Sequence, residues 1–257
     1  MSGIHLSFRN LVLAATLGWH DIRSRYRRSV IGPFWLTISM GVMIATIGIV
    51  FGQIFNTPMN EYLPFLAAGI ILWAFITGMI TEGCTGFIDA EGTIKQLPIP
   101  LFVHILRVLW RNLLTLAHNI LILPLVLFVM GKGIGLEALL AIPGLLLVSL
   151  CLSWVALLFA MLCARYRDLV QIVASVLQVA FYLTPIIWIP SLLPDRMGAT
   201  FLQLNPFYHL LELIRAPLLG VMPGLTSWLV VLGMVGVGWT FTLLVFSRLR
   251  HRVAYWL

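Results

Sequence analysis

Charged residues are scarce in this sequence of 257 residues. Asp, Glu, Lys and Arg together make up 10% of the chain, against about 25% in an ordinary soluble domain. Hydrophobic residues make up 61%. This composition excludes an ordinary soluble globular protein, because most side chains have no polar group to present to water.

Motifs that would support chemistry are also missing. No segment has the G-x-x-x-x-G-K-[ST] form that cradles nucleotide phosphates, since the Gly131-Lys132 pair is followed by Gly133. The three cysteines and six histidines are scattered without metal-ligand spacing. His118, inside an apolar stretch, is predicted to pack with a hydrogen bond rather than to catalyse. We therefore expect no catalytic, metal-binding or cofactor-binding residue, and a membrane enzyme is a distant alternative.

Long apolar runs dominate what is present. Six of them have about 20 residues or more, enough to cross a hydrocarbon core of ~30 Å as helices. They cover residues 32–55, 62–83, 110–130, 138–163, 170–189 and 226–246. None of the nine carboxylates is expected at the middle of a run, where an ion-driven carrier usually needs one. The sequence predicts an all-α membrane protein with six transmembrane helices in a single domain over 1–257.

Positive charge is distributed unequally between the two sides of these runs. If both termini are cytoplasmic, thirteen of the sixteen Lys and Arg residues fall in cytoplasmic segments. The outer segments then hold only Lys132, Arg196 and Arg215. This asymmetry predicts a multi-pass protein with both termini inside. Membrane topology then accounts for the net charge of +7, which does not indicate affinity for nucleic acid.

Residues 1–31 are predicted to form an amphipathic helix in the inner membrane interface. Apolar residues recur there at helical spacing, at Leu11, Ala15, Trp19, Ile22 and Tyr26. Basic residues occupy other positions, among them Arg23, Arg25, Arg27 and Arg28. A basic face of this kind fits an anchor on anionic lipids and equally a docking surface for a partner.

Residues 85–98 belong to the longest inner loop, which runs from Cys84 to Leu109. A short helix is predicted to end near Leu97, because Pro98 and Pro100 cannot continue it normally. Its mixed polar and apolar residues are Asp89, Glu91, Thr93, Ile94, Lys95 and Gln96. Such a segment suits a lever against a soluble partner, and a passive connector is the alternative.

The outer segment 190–225 is apolar but interrupted by five prolines. These are Pro190, Pro194, Pro206, Pro217 and Pro223. They are expected to break the segment into pieces too short to cross the bilayer. Re-entrant or interfacial helices buried against protein fit this pattern, and a cap on the helix ends is the alternative.

Several short motifs along the chain resemble those of a known family. The run DIRSRYRRSVIGPFWL at 21–36 is similar to that family's approach to its first span. Later matches are Arg165-Tyr166-Arg167-Asp168, Thr184-Pro185-Ile186, Asn205-Pro206 and Arg215. Their order and spacing resemble the membrane permease subunits of ABC transporters that export lipid-linked polysaccharides, such as O-antigen, capsule and teichoic acid.

The resemblance implies a homodimer of this chain with two copies of a separate ATP-binding subunit, which would bind ATP and Mg²⁺. The substrate would be an undecaprenyl-type lipid-linked polysaccharide, O-antigen before capsule or teichoic acid, with another lipid or a drug ranked lower. The location would be the bacterial inner membrane.

The resemblance also implies roles for the segments described above. Residues 85–98, which we call the coupling segment, would contact the ATP-binding subunit, while Arg23, Arg25, Arg27 and Arg28 would attract the lipid pyrophosphate. Residues 190–220 would gate the exit. Aromatic residues would line a glycan conduit, because sugar C–H faces stack on aromatic rings. The candidates are Phe181, Tyr182, Trp188, Phe207 and Tyr208.

Overall fold

The computed structural model describes residues 8–26, 32, 34–190 and 202–257. Within these ranges the chain is helical and contains no strand, which confirms the predicted all-α fold class. The helices are α1 (Phe8–Tyr26), α2 (Phe34–Ile54), α3 (Met59–Thr85), α4 (Glu91–Gln96), α5 (Leu101–Asn119), α6 (Ile122–Val129), α7 (Ala141–Arg165), α8 (Leu169–Leu183), α9 (Pro206–Leu218) and α10 (Leu225–Trp256), with a 3₁₀ helix (Leu136–Leu140) before α7.

Five helical segments among the described residues are long and apolar enough to cross a membrane. They are Phe34–Ile54, Met59–Thr85, Leu101–Val129, Leu136–Arg165 and Leu225–Trp256. The predicted span at 170–189 corresponds to α8, which has 15 residues. At 1.5 Å per residue α8 covers about 22 Å, less than the ~30 Å of a hydrocarbon core. The count of six spans stays a prediction.

Helix α8 ends earlier than the apolar run suggests because of its sequence. Pro185 has no backbone N–H, and its ring disfavours helical backbone at Thr184. Thr184 is accordingly extended, and the chain continues without helix to residue 189. Residues 184–189 are apolar because they are buried or half-buried in the protein, and not because they continue the helix.

The third span begins before its predicted start at residue 110. Helix α5 starts at Leu101, directly after Pro100, and α6 continues the segment to Val129. The prediction placed Arg107 in the inner loop before this span and counted both Arg107 and Arg111 among the cytoplasmic charges. Both arginines lie within α5, where carboxylates pair with them.

Helix α3 lies at the centre of the molecule. It packs against α2, α5, α7, α8 and α9, and 72% of its most apolar stretch is buried. Gly83 permits the contact with α7, because a Cβ there would lie 2.7 Å from the Cβ of Ala156. Lipid tails are as apolar as leucine, so close backbone packing of this kind associates membrane helices.

In the described part of the outer segment, α9 lies between two of the five prolines. Pro206 occupies the first turn of α9, where a missing N–H has no consequence. Pro217 lies inside its last turn. Helix α9 has 13 residues, about 20 Å at 1.5 Å per residue, so this piece of the segment is too short to cross the bilayer, as predicted. Helix α9 packs against α3, α7 and α10, whereas residues 191–201 lie outside the described part of the chain.

Candidate functional site

The coupling segment has the short helix that its sequence predicts. Helix α4 ends at Gln96, and Leu97 is extended. Its first and last turns are joined by an ion pair of 2.6 Å between Lys95 Nζ and Glu91 Oε1. That hydrogen bond, with the lysine charge, lowers the pKa of the Glu91 carboxyl.

Buried residues attach this helix to the rest of the molecule. Phe87 and Ala90 are buried directly before α4. Asp89, Lys95 and Gln96 are exposed, whereas Thr93 and Ile94 are half-buried. The Thr85 hydroxyl donates a hydrogen bond of 2.7 Å to Asp89 Oδ2. The coupling segment therefore presents a polar surface on a firmly packed base.

Four charged side chains from three helices meet beside this base, and we call them the inner ionic cluster: Asp21 of α1, Glu82 of α3, and Arg107 and Arg111 of α5. Arg107 donates two hydrogen bonds to Asp21, one of 2.6 Å from Nε and a second from Nη2. Arg111 lies 3.1 Å from Asp21 and 2.8 Å from Glu82. The cluster therefore ties α1, α3 and α5 together.

The two arginines of the cluster favour the ionised form of Asp21. Burial of Asp21 would raise the pKa of its carboxyl, but the hydrogen bonds and charges of Arg107 and Arg111 outweigh that effect. The pKa of Asp21 therefore lies below its ordinary value of 3.8. Asn112 adds a hydrogen bond of 2.8 Å to Glu82, so the second carboxylate is also held by two donors.

A small cavity of about 30 Å³ lies between the coupling segment and this cluster. Gly86, Asp89 and Ala90 line it from the segment, and Arg107 and Arg111 line it from α5. The base of the coupling segment is therefore adjacent to the arginines that hold α1. Sequence reasoning missed the cluster, although the four-residue spacing of its arginines places both on one face of α5.

The basic residues predicted for the inner interface are only partly described. Arg23 is exposed on α1. Arg25 belongs to α1, but its side chain, like residues Arg27 and Arg28, lies outside the described part. Helix α1 packs against α5 and leaves Leu11 and Trp19 exposed, as an interfacial helix requires.

At the opposite end, three side chains hold the non-helical stretch that follows α8, and we call them the outer clamp: Tyr62 of α3, Asn205 before α9, and Arg215 of α9. Asn205 Nδ2 donates to the Leu183 carbonyl at 3.2 Å. Arg215 Nη1 donates to the Pro185 carbonyl at 2.6 Å, and the Tyr62 hydroxyl donates to the Ile187 carbonyl at 2.7 Å. Three alternate carbonyls are thus each bonded to a different side chain.

Asn205 also organises its neighbours. Its Nδ2 donates to the Thr184 hydroxyl at 3.1 Å. Its Oδ1 accepts hydrogen bonds from the backbone N–H groups of Phe207 and Tyr208, which caps α9. Two motifs separated along the chain, Thr184-Pro185 and Asn205-Pro206, therefore form one structure.

Arg215 is buried, with 2% of its surface exposed. Glu212 neutralises it at 2.9 Å, and the Phe65 ring lies 4.2 Å from its guanidinium carbon. A buried arginine needs such partners, because an unpaired charge there is strongly destabilising. The sequence places Arg215 among the charges of the outer segments, and the structure shows that it also bonds the Pro185 carbonyl.

The predicted conduit aromatics fall into separate groups. Phe181 and Phe207 both pack on Trp73, with ring centroids 5.9 and 5.3 Å away. Trp73, which sequence reasoning did not select, therefore joins α8 to α9.

Of the other three candidates, Tyr182 packs on Phe181, with the two ring centroids 5.3 Å apart. Trp188 donates a hydrogen bond of 3.1 Å to the Tyr182 carbonyl, and Tyr208 packs on His209 at 5.4 Å. Tyr182 is 65% exposed and is the candidate most accessible to a substrate.

Helix α8 presents a polar stripe on its exposed face. Gln171, Ser175, Gln178 and Tyr182 are all exposed and follow one another at intervals of four, three and four residues. These intervals place them on one side of the helix. Only the opposite side is buried, through Val173, Leu177 and Ala180.

Helix α2 has a similar stripe at intervals of seven residues. Ser39, Thr46 and Gln53 are exposed, and 11% of the most apolar stretch of α2 is buried. Both α2 and α8 pack on α3. We call the stripes of α2 and α8 the polar faces. Sequence reasoning did not identify them, although their spacing was available to it.

His118 has the hydrogen-bonded packing position predicted for it. Its Nδ1 lies 2.7 Å from the Leu114 carbonyl, and its ring is edge-on to Phe34 at 5.9 Å. Among the described residues, no group of three or more His, Cys, Asp or Glu side chains could hold a metal ion.

Known proteins are similar in sequence to most of this chain. A sequence model of the family described as "ABC-2 type transporter" matches residues 13–219. A Klebsiella pneumoniae protein named "O-antigen export system permease protein RfbA" is 24% identical over 239 residues, 91% of this chain and 90% of that protein. A Myxococcus xanthus protein of the same name is 24% identical over 218 residues, 81% and 80% of the two chains. The residues matched by the family include the coupling segment, the inner ionic cluster and the outer clamp.

Proposed function

This chain belongs to the ABC-2 type transporter family, and on that premise we propose that it is the membrane subunit of an ATP-driven polysaccharide exporter. The proposed substrate is a polysaccharide on an undecaprenyl-type lipid, O-antigen first, with capsule or teichoic acid as the alternative. The names of the relatives support export of O-antigen. The polar faces of α2 and α8 are the observation that carries the proposal.

Exposed amides in a membrane helix call for polar surroundings. An unpaired amide in hydrocarbon costs several kcal/mol on transfer scales, roughly 4–8 in cyclohexane. We place the polar faces toward a second copy of the chain, so that two copies enclose a passage. Gln171 and Gln178 would then exchange hydrogen bonds with sugar hydroxyls, and the exposed ring of Tyr182 would stack on sugar C–H faces.

Energy would come from a separate ATP-binding subunit, which would bind ATP and Mg²⁺. The exposed polar surface of α4 would fit a groove on that subunit. Since the coupling segment adjoins the inner ionic cluster, a displacement of α4 would be transmitted to α1 and α5. Two copies of each subunit would complete the transporter.

The basic residues of α1 and its continuation would receive the lipid head group. A guanidinium binds phosphate oxygens with two parallel hydrogen bonds, so Arg23, Arg25, Arg27 and Arg28 suit a lipid pyrophosphate. Anionic membrane lipids would compete for the same positions. The proposed location is the bacterial inner membrane, with both termini cytoplasmic.

Co-purification with candidate ATP-binding subunits from the same organism tests the proposal. We expect a two-plus-two complex in lipid whose ATP hydrolysis responds to lipid-linked glycan. A chain that purifies alone and binds no ATP-binding subunit would reject the exporter and reopen the enzyme alternative.

Substitutions on α8 test the passage itself. Replacing Gln171 and Gln178 together by leucine preserves approximate size and removes both amides, and we expect glycan export to fall about tenfold, ~1.4 kcal/mol. Thr240→Val is the matched control, because Thr240 is exposed on α10 and bonds only the Gly236 carbonyl in its own helix. Equal export by the two variants would remove the α8 face from the substrate path.

A further inference from the structure

The backbone after α8 is held by side chains rather than by helix or sheet. Residues 184–188 are not helical, and Thr184, Pro185 and Ile186 are buried. In such surroundings a backbone carbonyl without a donor is unfavourable. The outer clamp supplies one donor each to the carbonyls of residues 183, 185 and 187.

The donors themselves are firmly placed. Tyr62 is fully buried, and its ring packs edge-on against Phe55 at 6.0 Å. Arg215 is held by Glu212 and Phe65. Tyr62 and Arg215 therefore have positions determined by α3 and α9.

Direct packing adds to these hydrogen bonds. A Cβ on Gly69 of α3 would lie 3.4 Å from Ile186 Cγ2 and 3.5 Å from Ile186 Cα. The stretch thus lies against the backbone of α3 itself. Helix α9 also packs on α3, so three elements contact one another: α3, residues 184–188 and α9.

Helix α8 is attached differently. It buries only the narrow side formed by Val173, Leu177 and Ala180. Its helical hydrogen bonds stop at the junction, where Thr184 is extended and Pro185 lacks an N–H. The junction at Leu183 and Thr184 therefore separates a sparsely packed helix from a firmly bonded stretch.

We propose that residues 184–188 form a fixed joint with α3 and α9, and that α8 pivots at this joint during the transport cycle. Tyr62, Asn205 and Arg215 are the positioning residues of the joint. The pivot rests on the proposed function, whereas the fixed joint does not. The exit would thus open by movement of α8 against an immobile outer support.

A disulfide across the joint tests whether it is fixed. Gly69→Cys with Ile186→Cys, in a background with Cys84, Cys151 and Cys163 replaced by alanine, places the two Cβ atoms near the usual separation of about 3.8 Å. We expect the oxidised protein to export within twofold of its own reduced form. A tenfold or greater loss on oxidation, reversed by reductant, would overturn the proposal.

Distances between pairs of spin labels test the same proposal without a crosslink at the joint. One pair joins Trp188→Cys to Val221→Cys, and a second joins Ser175→Cys to Val221→Cys. Between nucleotide-free and vanadate-trapped complexes, the first distance should change by less than about 2 Å, whereas the second should shift by more. A first distance that shifts as much as the second, or two unchanged distances, would overturn the proposal.

Tyr62→Phe separates positioning from simple stability. It removes one hydroxyl and keeps the ring contacts, so the complex should still hydrolyse ATP within twofold. We expect the glycan exported per ATP hydrolysed to fall about fivefold. Tyr255→Phe, at an exposed position of α10, is the control. An unchanged ratio would remove Tyr62 from the joint, whereas failure of the chain to bind any ATP-binding subunit would reject the proposed function alone.

Discussion

The two ends of this molecule, called inner and outer after the predicted topology, hold their helices together by different bonds. At the inner end, guanidinium and carboxylate groups of the inner ionic cluster pair side chain to side chain across α1, α3 and α5. At the outer end, the side chains of the outer clamp bond to backbone carbonyls. The inner end thus joins helices through long side chains, while the outer end restrains the backbone itself.

This difference has a mechanical consequence. Attraction between charges falls gradually with distance, so flexible arginine side chains keep much of it when helices shift. A hydrogen bond to a carbonyl weakens steeply once its distance or angle departs from the optimum. The inner end is therefore suited to transmit a displacement from α4, and the outer end is suited to resist one.

Removing the central arginine should break the inner end most severely. In Arg111→Gln, Asp21 and Glu82 lose their shared partner, and we expect the free energy of unfolding to fall by about 3 kcal/mol. Thermal unfolding in detergent measures this effect. Arg248→Gln, an exposed change on α10, should shift it by less than about 0.5 kcal/mol. Similar shifts for both variants would contradict the role of the cluster.

Removing the asparagine of the outer clamp should have the next largest effect. Asn205→Ala deletes the cap of α9 and leaves the Leu183 carbonyl without its donor, so we expect a loss of about 2 kcal/mol. Asn60→Ala, at an exposed position in the first turn of α3, is the matched control for thermal unfolding. If the two alanine variants unfold together, the clamp does not stabilise the outer end.

Acid should distinguish the two ends through Asp21. Because the folded-state pKa of this carboxyl lies below its ordinary value of 3.8, its contribution is fully present above the ordinary pKa and is lost as pH falls through the folded pKa. We expect the melting temperature to fall below pH ~4. Asp21→Asn should lack this part of the pH dependence, and identical pH profiles would argue against it.

The smallest effect on stability is expected at the coupling segment. Glu91→Gln removes an exposed ion pair with Lys95, so the melting temperature should not change measurably. The same variant should alter ATP hydrolysis by the complex, because α4 is the proposed contact with the ATP-binding subunit. The control is Lys132→Gln, which changes an exposed charge between α6 and the 3₁₀ helix. Equal hydrolysis by Glu91→Gln and Lys132→Gln would place the contact elsewhere.

Local sequence signals predicted the elements whose causes are local. The end of α4 followed from Pro98 and Pro100, and five long apolar runs correspond to five helices able to span a membrane. The same reasoning failed where pairing changes the cost of a charge. Arg107 was assigned to the inner loop, yet it lies in α5, where Asp21, distant in the sequence, pairs with it.

The sequence identified only part of the candidate site, again because contacts between distant residues cannot be derived from it. Aromatic composition selected Phe181 and Phe207, but only packing showed that Trp73 lies between them. Periodicity could have identified the polar faces, because every member of a stripe lies on one helix. Tyr62 could not have been linked to Ile187, since 125 residues separate them.

The sequence by itself determined the class of environment and the main segments of this protein. Apolar length, proline position and charge asymmetry act on neighbouring residues, so they can be interpreted before any fold is known. Tertiary structure alone decided which distant groups meet. It assembled the inner ionic cluster and the outer clamp, because a buried charge or a carbonyl outside regular structure is stable only where folding brings it a partner.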